Sequence, residues 1–213
     1  MIDINNGDDI DEKSAAEIAE ETPSLFDDRM LAFAKMMNTN RAGILKTAGY
    51  EISLTNPIAF LEHNYRGRPI FRYIQSHPDL DHMRGLAALR DYGIPILNFW
   101  DTDHDKTPDF MSESDEDDWT AYESLQAGTW NGTKHTVLRL ARGSTGQFYN
   151  RNEVGMAGGD GIHIIAPTPE LNASANESGN SNNLSYVLWL EYRGIKIVLG
   201  GDAEDAVWQN IFE

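Results

Sequence analysis

Between residues 70 and 100 the chain alternates apolar runs and polar breaks in an order that predicts a βαβ unit. Ile70, Phe71, Tyr73 and Ile74 make a strand-like run, and Met83, Leu86, Ala87, Leu89 and Arg90 follow at helical spacing, predicting a helix over Leu80–Tyr92. Gly93 ends that helix, and Ile94 to Trp100 (I-P-I-L-N-F-W) reads as a second buried strand. Strand, helix and strand within about 30 residues imply a parallel pair.

The same pattern places further elements on either side. Met1 to Ile4 reads as the tail of a short strand ending at Asp3, followed by an Asn-Gly-Asp turn. Residues 12–21 form an acidic helix, and after Pro23 a second helix starts at Ser24, carrying Leu25, Phe26, Met30, Leu31, Phe33, Ala34, Met36 and Met37. Thr55 or Asn56 caps a helix with Pro57 in its first turn, running to about Asn64. Further on, Trp119–Trp130 reads as helix, and Thr136–Ala141 and Gly161–Ala166 as strands. Leu184–Tyr192 and Ile195–Leu199 form a hairpin turning at Arg193-Gly194, and Ala203–Phe212 is a closing helix. Residues 101–118, 143–159 and 171–183 are polar and read as loops, the first strongly acidic.

Composition narrows the classes. With 213 residues the chain suits one domain of ordinary size. Thirty-four acidic against 17 basic residues give a formal charge of −17, which opposes long-range attraction to nucleic acid or to an anionic membrane. The absence of cysteine excludes disulfides, a thiolate nucleophile and Cys-ligated zinc. No run approaches the ~20 apolar residues of a membrane span, and the amino terminus has no secretory pattern. A cytoplasmic protein is expected.

Candidate chemistry concentrates where the first strand hands over to the helix. His77, Asp79, Asp81 and His82 put four metal-ligand side chains within six residues. They lie at the carboxyl edge, where open α/β sheets build their sites. Pro78 holds the loop extended. In an extended segment His77 and Asp79 can point to one side, as can Asp79 and Asp81, while His82 projects toward a different centre. The loop cannot complete a metal shell alone. Asp202 is the expected partner, because it follows an apolar strand and two glycines that permit close backbone approach. Two ions roughly 3.5–4 Å apart can share a hydroxide nucleophile and stabilise both oxygens of a cleaved ester. Asp202 could bridge them, and Asp81 could bind metal or orient the attacking water. The bland alternative is that these acids cap the following helix. Asp101, Asp103 and Asp105 mimic the start of a calcium loop, but Lys106 stands where glycine is needed and Ser112 where the bidentate Glu belongs. His63 and His163 read as surface or packing residues.

The run His77-Pro78-Asp79-Leu80-Asp81-His82 resembles the H-x-H-x-D-H signature of the metallo-β-lactamase superfamily, in the form found in the hydrolase domain of ComEC-type competence proteins and their soluble relatives. Leu199-Gly200-Gly201-Asp202-Ala203-Glu204 resembles the strand end that carries that family's bridging aspartate. The likeness covers most of residues 70–100 and 160–212. It implies an α/β fold, an αβ/βα four-layer sandwich of two mixed sheets flanked by helices. The whole of 1–213 would be one domain, with 101–135 an acidic insert and with the family's first hairpin and last strands lacking. It further implies that His77 and Asp79 serve one metal, Asp81 and His82 another, and Asp202 both, with Asp81 and Asp202 catalytic. Zinc is the usual metal of the family, and the oxygen donor at Asp79 admits manganese or magnesium. The family's later ligand histidine would fall beyond Glu213, and His135 and His163 are the available counterparts of its middle one. The expected activity is metal-dependent hydrolysis of a phosphodiester, small-molecule or nucleic-acid. The alternatives are hydrolysis of a lactone, thioester or lactam, and a metal-binding or interaction domain without turnover.

Overall fold

Aromatic and β-branched residues favour the pleated, half-buried surface of a sheet, and the two apolar runs that flank the ligand loop pair. In a computed structural model of the chain, β1 (Tyr73–Ile74) lies parallel to β2 (Asn98–Asp101), with Tyr73 opposite Phe99 and Ile74 opposite Trp100. Ile70 adds an isolated bridge to Ile96, and Ile2 one to Ile74, so the amino terminus runs along the outer side of β1. On the other side β5 (Thr136–Arg139) continues the sheet, parallel to β2. The structure describes residues 1–4, 43, 45–46, 49–51, 56–108, 113–150 and 161–213. The chain divides into two compact units, Met1–Asn5 with Gly67–Glu213, and Asn6–Arg66. In the second unit the described helix α1 (Pro57–Tyr65) starts as expected, with the Asn56 side chain accepting from the amides of Ile58 and Ala59. The helices expected over 12–21 and 25–37 lie outside the described residues.

Within the first unit four expectations need correction. The helix read over Leu80–Tyr92 is two elements, a 3-10 turn at Leu80–His82 and α2 (Leu86–Asp91). Gly85 separates them at φ +92°, a conformation that glycine adopts without penalty. The acidic loop ends earlier than expected, because α3 (Glu113–Gln126) starts inside it. Glu113, Asp115 and Glu116 in its first turn complement the positive end of the helix dipole. The helix read over Trp119–Trp130 ends at Gln126, after which Thr129–Trp130 (β3) and Thr133–Lys134 (β4) form a hairpin around Asn131-Gly132, both at positive φ. Residues 171–183 are not a loop. They hold most of α4 (Pro169–Ser178), capped by the Thr168 hydroxyl and ended by Gly179, and then a 3-10 turn at Ser181–Leu184.

The second sheet is antiparallel. β6 (Ile162–Ala166) pairs with β7 (Val187–Tyr192), which turns through Arg193 and Gly194, both at positive φ, into β8 (Ile195–Leu199). Both large sheets contribute to one core, in which Ile74, Trp100 and Leu140 meet Ile164, Tyr186 and Leu188. The Tyr186 hydroxyl donates to the Asp101 carbonyl (2.7 Å) and accepts from the Leu140 amide (2.8 Å), joining the sheets by polar contacts as well. Beyond the second sheet, Ala166 and Val187 pack with Val207, Trp208 and Ile211 of α5 (Asp205–Phe212). On the first sheet, Phe99 meets the Tyr122 ring of α3 edge-on. The architecture is therefore mixed α and β, with parallel and antiparallel sheets. Among the described residues no helix is long and apolar enough to cross a membrane.

The Asp118 carboxylate of α3 accepts from the amides of Gly85 (3.0 Å) and Ala87 (2.8 Å), satisfying the start of α2 from a distance. Burial raises its pKa, against those two bonds. Asp118→Ala should cost about 1–2 kcal/mol, the usual loss for a removed helix cap. Urea unfolding measures it, and an unchanged midpoint would show that the contact does not matter.

Candidate metal centre

The ligand loop leaves β1 and is pinned before it turns. Gln75 is fully buried, and its side-chain amide nitrogen donates to the carbonyls of both His77 (2.9 Å) and His82 (3.2 Å). The His82 carbonyl also accepts from the Ile4 amide, and the Ser76 carbonyl from the Tyr186 amide. The backbone bends over residues 76–78, is extended at Asp79 (φ −100°, ψ 140°) and then tightens into the 3-10 turn. That turn defeats the alternation expected of an extended loop. It folds His82 back over His77, with ring centroids 4.2 Å apart.

Asp202 arrives from the second sheet. It follows β8 through Gly200 and Gly201, and Gly201 stands at φ +53°. A methyl group there would come within 3.0 Å of the Ser185 hydroxyl and 3.2 Å of the Ser76 Cβ, so the turn is pressed against the ligand loop. The Asp202 amide donates to the Ser185 hydroxyl at 3.1 Å. Two residues later, Glu204 accepts from the side-chain amides of Asn180 and Asn182, anchoring this strand end to the turn after α4.

The result is a three-donor cluster: one ligand atom from each of His77, His82 and Asp202, all within 4.8 Å of one another. His82 Nε2 lies 3.3 Å from Asp202 Oδ1. His77 is fully buried, and its Nε2 finds no hydrogen-bond partner. A buried nitrogen left open in this way is costly unless something occupies it. Nitrogen and carboxylate donors suit zinc and other first-row divalent ions, so the residues fit a metal ion.

Asp3 orders both imidazoles. Its Oδ2 accepts from His82 Nδ1 (3.0 Å) and from the Ser76 hydroxyl (2.6 Å), while its Oδ1 accepts from the Ser76 amide (2.6 Å). Because the Ser76 hydroxyl gives its proton to Asp3, it must accept from His77 Nδ1 at 2.9 Å. Both histidines thus carry a proton on Nδ1 and present Nε2 to the cluster, the arrangement by which outer carboxylates aim metal-binding histidines. Burial works against charge on His82, but the Asp3 bond and the charges of Asp3, Asp202 and Asp81 outweigh it and push its pKa up to about 9. His77 moves the other way, through burial and the neighbouring His82.

The other expected site residues lie outside the three-donor cluster. Asp81 is largely exposed, its Oδ2 3.9 Å from His82 Nε2. Asp79 has its Oδ1 on the Lys106 ammonium at 2.5 Å and its Oδ2 3.8 Å from His77 Nε2. Burial favours the neutral Asp79 carboxyl, but hydrogen bonds with Lys106 and Ser181 and the charges of His77 and Lys106 hold its pKa below the usual range. Neither acid caps α2, since the 3-10 turn has no side-chain cap bond and Asp118 serves α2. The bland capping alternative therefore fails. His135 Nε2 donates to the Leu125 carbonyl, and His163 packs on Trp189. Asp101 is wholly buried, its oxygens taken by the Tyr122 hydroxyl and the Gln126 amide.

Sequence reasoning missed Asp3, Ser76, Gln75 and Lys106. Asp3 alone gave a signal, being an acid at the end of an apolar run like Asp202. The searches for related proteins find no matching family model, curated protein or solved structure for this chain.

Proposed function

We propose that the chain is a metal-dependent hydrolase of the metallo-β-lactamase type, acting on phosphodiesters. The observation that carries this reading is the clustering of His77, His82 and Asp202, with the Nδ1 atoms of both histidines engaged by Ser76 and Asp3, which leaves Nε2 of each for the cluster. A core shared by two sheets, with α3 on one and α5 on the other, is what a four-layer αβ/βα sandwich requires. A divalent ion bound there would act as a Lewis acid on the ester and lower the pKa of water.

The chain's own groups do the rest. Asp3 and Ser76 hold the imidazole tautomers, and Gln75 fixes the spacing of the two histidines along the loop. Asp81, exposed and beside the cluster, is placed to take a proton from an attacking water. Asp202 reaches the cluster from the opposite sheet, so the site exists only when both sheets are packed.

Metal analysis of the purified protein followed by assays on a bis-aryl phosphate and on a lactone, with added zinc or manganese, tests the reading. Phosphodiester turnover that needs metal is expected. Turnover of the lactone alone would move the function to carboxylic esters, and metal uptake without turnover of either would leave a binding domain. A protein that takes up no ion sinks the proposal.

A further inference from the structure

We infer that the Lys106 ammonium occupies the place of a second metal ion, so that the centre holds one ion and receives an anionic ester oxygen between that ion and Lys106. This rests on the hydrolase reading above and names how its substrate is held.

A two-ion centre needs donors on both sides of a shared carboxylate. His77, His82 and Asp202 supply one cluster. The three remaining acids of the neighbourhood do not supply another. Asp3 spends both oxygens on Ser76 and His82 Nδ1, on the far side of the ring from the cluster. Asp81 is 59% exposed, and the histidine 3.9 Å from its Oδ2 is His82, which already belongs to the first cluster. Asp79 could have paired with His77, but Lys106 Nζ sits on its Oδ1 at 2.5 Å. A divalent ion at Asp79 would have only the Oδ2 that faces His77 Nε2 at 3.8 Å, and would meet the repulsion of an ammonium that is itself anchored on the same carboxylate.

The anchoring is specific. Lys106 Nζ also donates to the Ser181 hydroxyl at 3.0 Å, at the turn that follows α4, so the lysine is held from two elements distant in sequence. Its backbone amide donates to His104 Nδ1, and His104 Nε2 is bonded to the Tyr122 hydroxyl, which fixes the loop that presents the lysine. Two of the three ammonium hydrogens are used among the described residues, which leaves one. An ammonium in this position does for an anion what a second cation would do, as a fixed positive charge that needs no recruitment. A substrate with a negatively charged oxygen, such as a phosphodiester, gains from it. A neutral lactone gains little.

The test counts ions and measures anion binding. Equilibrium dialysis against saturating zinc should give one ion per chain. Calorimetric titration of the zinc-loaded protein with inorganic phosphate should show binding that Lys106→Met weakens ~10-fold or more, the size of a lost charge-assisted hydrogen bond. Lys106→Arg, which keeps the charge, should hold phosphate within about threefold of the original, and its folded state guards against a merely structural effect of Lys106→Met. Two ions in the unaltered protein, or phosphate affinity indifferent to Lys106→Met, would overturn the inference while leaving the hydrolase reading intact. No bound ion at all would remove that reading, and the inference with it.

Discussion

Asp202→Ala is expected to lower phosphodiester kcat/KM by about 1,000-fold or more while leaving the fold in place. The size follows from where the carboxylate stands. Loss of an outer partner that merely aims a ligand costs ~10–100-fold in metal affinity or activity, and Asp202 is one of three clustered donors among the described residues. Its removal deletes both a donor and the negative charge that offsets a divalent ion. The fold should tolerate the change, because the Asp202 side chain is 44% exposed and the strand end is held by other bonds. Those are the Asp202 amide on Ser185 and the Glu204 carboxylate on Asn180 and Asn182. The stability change should stay within about 1 kcal/mol, as for exposed substitutions without a special backbone role. Steady-state kinetics at fixed metal, a zinc titration and a thermal melt of the same preparation separate these quantities. Full cleavage in the variant would mean that Asp202 is not a ligand. A collapsed melt would mean that the loss of activity says nothing about the site.

How far the sequence disclosed this site depended on whether each contact was local. The ligand loop was legible because His77, Asp79, Asp81 and His82 are concentrated in one short segment, and Asp202 because an apolar strand and two glycines announce it. Roles within the loop were less legible. An extended backbone would have sorted His77 and His82 to separate centres, and the 3-10 turn at Leu80–His82 overrules that alternation. Asp3 and Lys106 reach the site across 79 and 27 positions of chain, to His82 and Asp79 respectively. Nothing in local periodicity reports such contacts. The very residue that spoils a calcium-loop reading of 101–112, Lys106, is the one that engages Asp79. In the fold the strands and the Arg193-Gly194 hairpin followed from apolar alternation and turn chemistry. Helix α3 was legible only from Trp119 onward, because its first turns are acidic, and α4 was not, because its later turns are Asn- and Ser-rich. Their formation depends on burying Trp119, Tyr122 and Leu125 in one case and Ala175 in the other.

The metal-free protein should lose stability as pH rises from 6.5 to 9. His82 has a folded pKa of about 9 against an ordinary value of 6.5. The folded state therefore binds this proton more tightly than the unfolded chain does, and the contribution is complete below about 6.5 and gone above about 9. Burial of the ring opposes the shift, and the Asp3 hydrogen bond, with the charges of Asp3, Asp202 and Asp81, overcomes it. Asp3 is 19% exposed, but Asp202 and Asp81 are 44% and 59% exposed, so solvent screens their share. The loss is on the order of 1–2 kcal/mol, or roughly 2–8 °C in melting temperature for a domain of this size. His77 acts in the opposite window. Burial and the nearby His82 lower its pKa, so its contribution is present above 6.5 and falls away as the solution becomes more acid. The combined contribution of the two histidines is greatest near pH 6.5, and the Met1 ammonium, whose pKa burial and Arg72 lower, offsets part of the alkaline loss. Saturating zinc should reverse the alkaline trend, since a ligand histidine must give up its proton and alkaline pH makes that easier. Thermal melts from pH 5.5 to 9.5, with chelator and then with zinc, measure both curves. Asp3→Asn should flatten the chelator curve above pH 6.5, because it removes the first of the charges that hold the proton on His82. A chelated protein whose melting temperature holds level or climbs between pH 6.5 and 9 would show that Asp3 and Asp202 do not grip His82 in this way.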